Sequence, residues 1–178
     1  QVPQDLLLYP QWVCWQYVDR GGGRKPTKQP VNPRTLHNAG VNWPNTWTSF
    51  EQAYTAYLQH SCSGIGFVLT PHDPFVGLDI DRCVQEGMPS PQARAIVNHL
   101  QSYTECSPSG SGLHILVACS TFDRNVRQPT LEVYAHSRFL TLTGHHLPDT
   151  PPTITTVDRE QLQALLPQLE ERSPPPDI

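Results

Sequence analysis

Four polar residues stand inside apolar, β-branched runs where a strand with a buried face has no ordinary use for them. Asp79 and Asp81 close Phe75-Val76-Gly77-Leu78-Asp79-Ile80-Asp81, His114 sits between Leu113 and Ile115, and Glu132 sits between Leu131 and Val133. In a strand, alternation sends Val76, Leu78 and Ile80 to one face and Gly77, Asp79 and Asp81 to the other. Side chains at i and i+2 are about 6–7 Å apart at their bases, so two such carboxylates can share one or two divalent cations. An acid buried alone costs several kcal/mol. With scarcely a cation in these strands, bound metal answers that cost better than salt bridges do. Oxygen donors suit Mg²⁺ or Mn²⁺, whereas zinc would ask for more His or Cys. Taken singly, the Asp-x-Asp also fits an exposed sheet face, and a lone strand histidine also fits a structural hydrogen bond.

The segment before His114 adds to the pattern. Ser107-Pro108-Ser109-Gly110-Ser111-Gly112 places hydroxyls and close-approach backbone N–H groups beside the histidine, which suits a triphosphate. Metal, acids and phosphate donors around one pocket make up the apparatus of phosphoryl or nucleotidyl transfer by two metal ions.

A second group of candidates is basic. The net charge is −4, against a protein that coats nucleic acid through bulk electrostatics. Yet Arg20, Arg24, Lys25, Lys28 and Arg34 crowd one stretch with Asp19 as its single acid. Such a patch can grip phosphate at one place. Gly21-Gly22-Gly23 beside Arg24 and Lys25 makes a flexible loop whose spacing fits neither a P-loop nor a dinucleotide fingerprint. A solvated hairpin tip is the other reading.

These residues need a scaffold. At 178 residues and 20.0 kDa the chain suits one domain with a real core. No apolar run approaches the ~20 residues of a membrane span. Five spread cysteines without a Cys-x-x-Cys pair exclude a cysteine zinc site, and as reduced core residues they point to a cytoplasmic setting. A catalytic domain over 1–170 is expected, with Pro-rich 171–178 as a linker toward a further C-terminal region.

Strands are expected at Trp12–Val18, Gly64–Thr70, Phe75–Asp81, Leu113–Cys119, Thr130–Tyr134 and Phe139–Thr143, with a short extended run over Tyr103–Cys106. The tight Pro71-His72-Asp73-Pro74 turn predicts a hairpin between the second and third of these. Thr48-x-x-Glu51 reads as a capping box for a helix to about Gln59, with Phe50, Ala53, Tyr54 and Tyr57 as its apolar stripe. Trp43, Trp47 and Phe50 read as core anchors. Ser90-Pro91 starts a second helix with Ala93, Ile96, Val97 and Leu100 inward, and Asp158 caps a last one with Leu162, Leu165, Leu166 and Leu169. The fold class is α+β, a mostly antiparallel sheet with flanking helices.

In their order along the chain, these pieces resemble the primase-polymerases of the archaeo-eukaryotic primase superfamily, in the form carried by phages and mobile replicons. The likeness rests on Gly64-to-Thr70, Phe75-to-Asp81, Ser102-to-Ile115, Leu131-to-Tyr134 and Arg138-to-Gly144, and it spans about Trp12 to Leu147. It implies the superfamily's catalytic core, with an RRM-like sheet, and a template-dependent DNA polymerase or primase. It implies two Mg²⁺ or Mn²⁺ ions held by Asp79, Asp81 and Glu132, with no organic cofactor. Ser109, Ser111, Gly112 and His114 would hold the incoming dNTP or NTP, with Arg138 and His145 as further phosphate contacts. Phe139 is a candidate for pressing on the sugar, with a core role as its alternative. Arg24, Lys25, Lys28 and Arg34 would contact DNA or phosphate. Single-stranded template and primer are the implied partners, with a fused helical or helicase region. Two other readings stand beside this one: another Asp-x-Asp metal enzyme, acting on nucleotide sugars, and a replication-initiator domain that binds DNA without catalysis.

Overall fold

The computed structural model describes residues 1–166, so Leu169 and the Pro-rich 171–178 segment lie outside the described residues. In chain order the elements are β1 (Trp12–Val18), β2 (Thr27–Val31), α1 (Phe50–Gln59), β3 (Gly64–Leu69), β4 (Phe75–Ile80), β5 (Val84–Gln85) and β6 (Met88–Pro89). There follow α2 (Pro91–Leu100), β7 (Thr104–Cys106), β8 (Leu113–Ala118), β9 (Val126–Arg127), β10 (Leu131–Tyr134), β11 (Arg138–Leu142), β12 (Thr155–Thr156) and α3 (Arg159–Gln163). The class is α+β and the pairing mostly antiparallel, as expected. Among the described residues no helix is long and apolar enough to cross a membrane.

Where one main sheet was expected there are two. The first runs β11-β3-β1-β2 and the second β12-β8-β4-β10-β9, with β7 also pairing β8; β5 and β6 form a small separate ribbon. The expected hairpin between β3 and β4 is therefore absent: the two strands belong to different sheets. The physical reason is Asp73. One carboxylate oxygen accepts from the Thr70 N–H and hydroxyl and from the Gln11 amide, and the other accepts from the Phe75 N–H. The turn's donors are thus met by a side chain, and no ladder between the strands is required. Both strands are apolar on both faces, so each becomes a central strand with two neighbours in its own sheet.

Three apolar clusters hold the layers. Val76, Leu78 and Ile80 join Leu113, Ile115, Val117 and Val133 against Ala93, Val97 and Leu100 of α2 and Leu162 near the chain's end. Phe75, Leu116 and Tyr134 of the second sheet instead meet Trp12, Phe67, Leu69 and Leu140 of the first, with Ala53 and Ala56 of α1. The third cluster covers the outer side of the first sheet with Val13, Val68, Ala39 and Trp47. Gly77 suits the place where the sheets meet, because a Cβ there would stand a tight 3.2 Å from both Leu69 and Leu140 side-chain carbons.

The helix ends follow their caps with one shift. The Ser49 hydroxyl, not Thr48, accepts from the Gln52 N–H and begins α1, while Thr48 bonds back to the Trp12 carbonyl. Ser90 caps α2 and Asp158 caps α3 as expected. The apolar stripe of α1 is narrower than its periodicity suggests: Ala53 and Ala56 are buried, whereas Tyr54 and Tyr57 are exposed. Trp43 is 59% exposed and is no core anchor, while Trp47 is buried with its indole N–H on the Gly40 carbonyl. All five cysteines are free.

Arg34 belongs to the scaffold. Its guanidinium donates to the Asn45 carbonyl at 3.1 Å and the Trp47 carbonyl at 2.7 Å, pinning the segment that roofs the first sheet. Arg34→Ala is expected to cost about 1–2 kcal/mol through the loss of two charge-assisted hydrogen bonds, a fall of about 2–4 °C in melting temperature per kcal/mol. Differential scanning fluorimetry of the variant beside wild type would check it.

A candidate catalytic cleft

The strand register assembles the polar residues. Asp79 on β4 lies directly opposite His114 on β8 and, on its other side, opposite Glu132 on β10. The row continues outward, with His114 opposite Glu105 on β7 and Glu132 opposite Arg127 on β9. Directly opposed residues point to the same face of a sheet, so five neighbouring strands present Glu105, His114, Asp79, Glu132 and Arg127 side by side. Phe75 and Gly77 share that face of β4 and bury themselves against the first sheet, which places Asp79 beyond the end of this inter-sheet core.

Asp81 lies just past the end of β4, exposed, its N–H on the Thr130 carbonyl. The serine loop closes onto β4 between the two aspartates. A Cβ on Gly112 would stand 2.8 Å from the Ile80 carbonyl oxygen, an approach only glycine permits. The Gly112 N–H is taken by the Ser107 hydroxyl, so Gly112 provides contact with β4. Ser107, Ser109 and Ser111 form a chain of hydroxyls at 3.1 and 2.9 Å, turned at Gly110 with φ +73°. Ser109 is exposed and Ser111 half-buried.

The charges around Asp79 follow from this register. Burial raises the Asp79 carboxyl, His114 and Lys28 lower it, Asp81 and Glu132 raise it, and the outcome is a carboxyl above its usual range. Lys28, on β2 of the other sheet, is thereby placed within electrostatic reach of the acids. Burial lowers its pKa, Asp79 and Asp81 oppose that, and Lys25 adds to it. Its ammonium also lies over the Trp15 ring at 5.6 Å. Arg24 and Lys25 are exposed on the glycine loop.

Glu132 has partners of its own. Arg127 Nε lies 3.2 Å from one of its oxygens, and the Tyr134 hydroxyl donates to the other. Tyr134 also accepts from Arg127 Nε at 3.2 Å and carries the Arg138 guanidinium over its ring at 4.8 Å. Burial and the hydrogen bond to Glu132 raise the Tyr134 phenol, which keeps it a donor. Arg138, on β11 of the first sheet, therefore meets the second sheet at the third acid. Phe139 packs over Gly66 and against the cluster of Val13 and Val68. His145 is exposed, while His146 bonds to the Pro151 carbonyl and stacks on Tyr103.

Two residues of the row, Glu105 and Arg127, escape sequence reading, and Glu105 is the buried one. Glu105 is 0% exposed, its carboxylate accepting from the Tyr103 hydroxyl at 2.8 Å and the N–H groups of Thr143 and Gly144 at 2.8 and 2.9 Å. Burial alone would raise its pKa. His114 beside it, the Thr143 N–H and the Tyr103 hydroxyl outweigh burial and hold the carboxyl below its usual range. The separation from His114 Nδ1 is 3.6 Å, just beyond hydrogen-bond length. The sequence offers only Glu105 within a three-residue strand, too short an alternation to mark a face.

Among the described residues, no three His, Cys, Asp or Glu side chains stand close enough together to hold a metal ion. The donor set nevertheless fits a hard divalent cation in chemistry: Asp79, Asp81 and Glu132 offer oxygen only, and their mutual repulsion is what a cation would relieve. Glu132 would have to be shared with, or freed from, Arg127.

No family model matches the chain. A curated relative does: the DNA primase-polymerase of Nitratiruptor phage NrS-1, 35% identical over 148 residues, which is 78% of this chain and 20% of that protein. The chain thus spans about a fifth of the length of the relative it matches.

Proposed function

We propose that the chain is a phage-type primase-polymerase domain, a reading supported by its 35% identity over 148 residues to such a protein, and that it transfers nucleotides from (d)NTPs to a primer terminus under the direction of a single-stranded DNA template. The observation that carries this reading is the register of Asp79 between His114 and Glu132, with the serine loop seated on the Ile80 carbonyl beside it. Asp79, Asp81 and Glu132 would hold Mg²⁺ or Mn²⁺, which when bound would activate the attacking hydroxyl and neutralise the triphosphate and leaving group.

The remaining roles belong to the chain's own groups. The Ser109 and Ser111 hydroxyls and His114 offer donors to the phosphates of the incoming nucleotide. Lys28 brings a cation to the same place from the first sheet, and Arg138 adds one above Tyr134. His145 stands at the turn after β11 as a further phosphate contact. Arg24 and Lys25 on the exposed loop suit the DNA backbone, whereas the Arg34 guanidinium is engaged by the Asn45 and Trp47 carbonyls. Phe139 is held by packing and keeps a sugar-selecting role only if the nucleotide reaches its edge.

The test is primer extension with labelled dNTPs in Mg²⁺ or Mn²⁺. Incorporation on a primed template is expected, and its loss in Asp79→Ala/Asp81→Ala. Undiminished incorporation by the double variant would remove the site assignment.

A further inference from the structure

We propose that Glu105 is a positioning residue of this site, fixing the His114 ring and, with the same carboxylate, the Thr143–Gly144 turn of the other sheet. The inference rests on the reading that His114 meets the phosphates of the incoming nucleotide.

The geometry leaves Glu105 little freedom. One oxygen accepts from the Thr143 N–H, and the other accepts from both the Tyr103 hydroxyl and the Gly144 N–H. A carboxylate bonded on both oxygens by two backbone groups and a buried phenol cannot turn. What it faces is then fixed as well, and it faces His114. Oε1 lies 3.6 Å from Nδ1, while on the far side of the ring Nε2 lies 3.7 Å from Asp79 Oδ1. His114 is 2% exposed, and its Nδ1 is buried with no hydrogen-bond partner among the described residues. The histidine is thus strung between a rigid buried carboxylate and a half-open catalytic one. Rotating the ring would take Nδ1 away from Glu105, so the Glu105 charge selects the orientation that aims Nε2 toward Asp79.

The network also joins the two sheets. Glu105 is on β7 of the second sheet, whereas Thr143 and Gly144 leave β11 of the first. The Thr143 hydroxyl returns a bond to the Cys106 carbonyl at 2.7 Å, and the Cys106 N–H donates to the His145 carbonyl. The turn that leads into His145 is therefore fastened beside the strand that carries His114. Stability alone is a weak reason for such a group, since well-packed apolar residues commonly replace buried charges without loss. A requirement for orientation is a sufficient one.

The experiment is a double-mutant cycle on steady-state primer extension with wild type, Glu105→Gln, His114→Asn and the pair. Glu105→Gln is expected to raise the KM for dNTP about tenfold, which is about 1.4 kcal/mol, with kcat changed less than about threefold. The pair should be no worse in KM than His114→Asn alone, because Glu105 acts through the ring. Additive KM effects, or an unchanged KM with only a smaller active fraction, would overturn the proposal. Should Glu105→Gln fail to fold, Tyr103→Phe removes one donor from the carboxylate and is expected to raise KM in the same direction by less. An unchanged KM there overturns it equally. A wild-type protein that incorporates nothing defeats the functional reading instead, and the inference is then judged on the nitrogen-15 spectrum. The Nδ1 resonance of His114 should move in Glu105→Gln, and a fixed resonance would refute the positioning.

Discussion

Asp79→Asn is expected to abolish nucleotide incorporation and, at the same time, to raise the melting temperature of the metal-free protein. The two effects have one cause. The Asp79 carboxyl is raised chiefly by burial, with Asp81 and Glu132 adding to the rise and His114 and Lys28 only partly opposing it. A raised carboxyl binds its proton more tightly folded than unfolded. Stability therefore falls as pH rises through the window between the unfolded and folded values, and at neutral pH the folded state carries the full cost of the anion. Asparagine keeps the shape and removes that cost, so the metal-free variant should melt above wild type near pH 7.5, by about 2–4 °C for each kcal/mol relieved. Wild type should recover the cost by binding Mg²⁺. An ion present at a hundred times its dissociation constant stabilises by about 2.7 kcal/mol. The variant should lose both this shift and incorporation, the latter by about 10³-fold if several kcal/mol of transition-state stabilisation pass through this ligand. Differential scanning fluorimetry with and without Mg²⁺, beside primer extension, reads all three quantities. A variant that melts below wild type without metal, or keeps the Mg²⁺ shift, would defeat the assignment.

The same acids show how far the sequence carries. Alternation within Phe75–Ile80, Leu113–Ala118 and Leu131–Tyr134 puts Asp79, His114 and Glu132 on definite faces, and pairing then makes them neighbours. Each of those inferences is local or depends on one register. Glu105 is different: its bonds go to Thr143 and Gly144, far along the chain and in the other sheet, and a three-residue strand has too short an alternation to announce a face. The division into two sheets was hidden for a related reason. Proximity along the chain favours pairing β3 with β4, but the side chain of Asp73 answers the turn's donors and lets each strand seek partners elsewhere. Arg34 has partners that composition does not show: a basic residue among basic residues reads as a phosphate contact, and its bonds to the Asn45 and Trp47 carbonyls depend on a loop more than ten residues away. Exposure of Trp43, Tyr54 and Tyr57 likewise depends on which surfaces the chain happens to cover, and periodicity carries no record of that.

Gly112→Ala should be the most damaging single methyl group in the serine loop. The added Cβ would stand 2.8 Å from the Ile80 carbonyl oxygen and 3.0 Å from the Ser107 hydroxyl. The first obstacle is backbone, and it lies between Asp79 and Asp81, so relief requires moving either the end of β4 or the loop. Moving the loop breaks the bond from the Gly112 N–H to Ser107 and carries Ser109 and Ser111 with it, because the three hydroxyls are linked in series. Moving β4 displaces the aspartates instead. Overpacking of this kind costs about 1–3 kcal/mol, and a displacement of about 1 Å in a catalytic site can cost about 100-fold in rate. Gly110→Ala is the control. Gly110 has φ +73° and open space around its missing Cβ, so alanine there meets only backbone strain of about 1–2 kcal/mol. Both variants should lose several degrees of melting temperature, but primer extension should fall about 100-fold in Gly112→Ala and less than about tenfold in Gly110→Ala. Equal losses of activity would mean that the loop serves the fold and not the nucleotide. The contrast isolates the close approach of Gly112 to the Ile80 carbonyl from the strain of the loop's own turn.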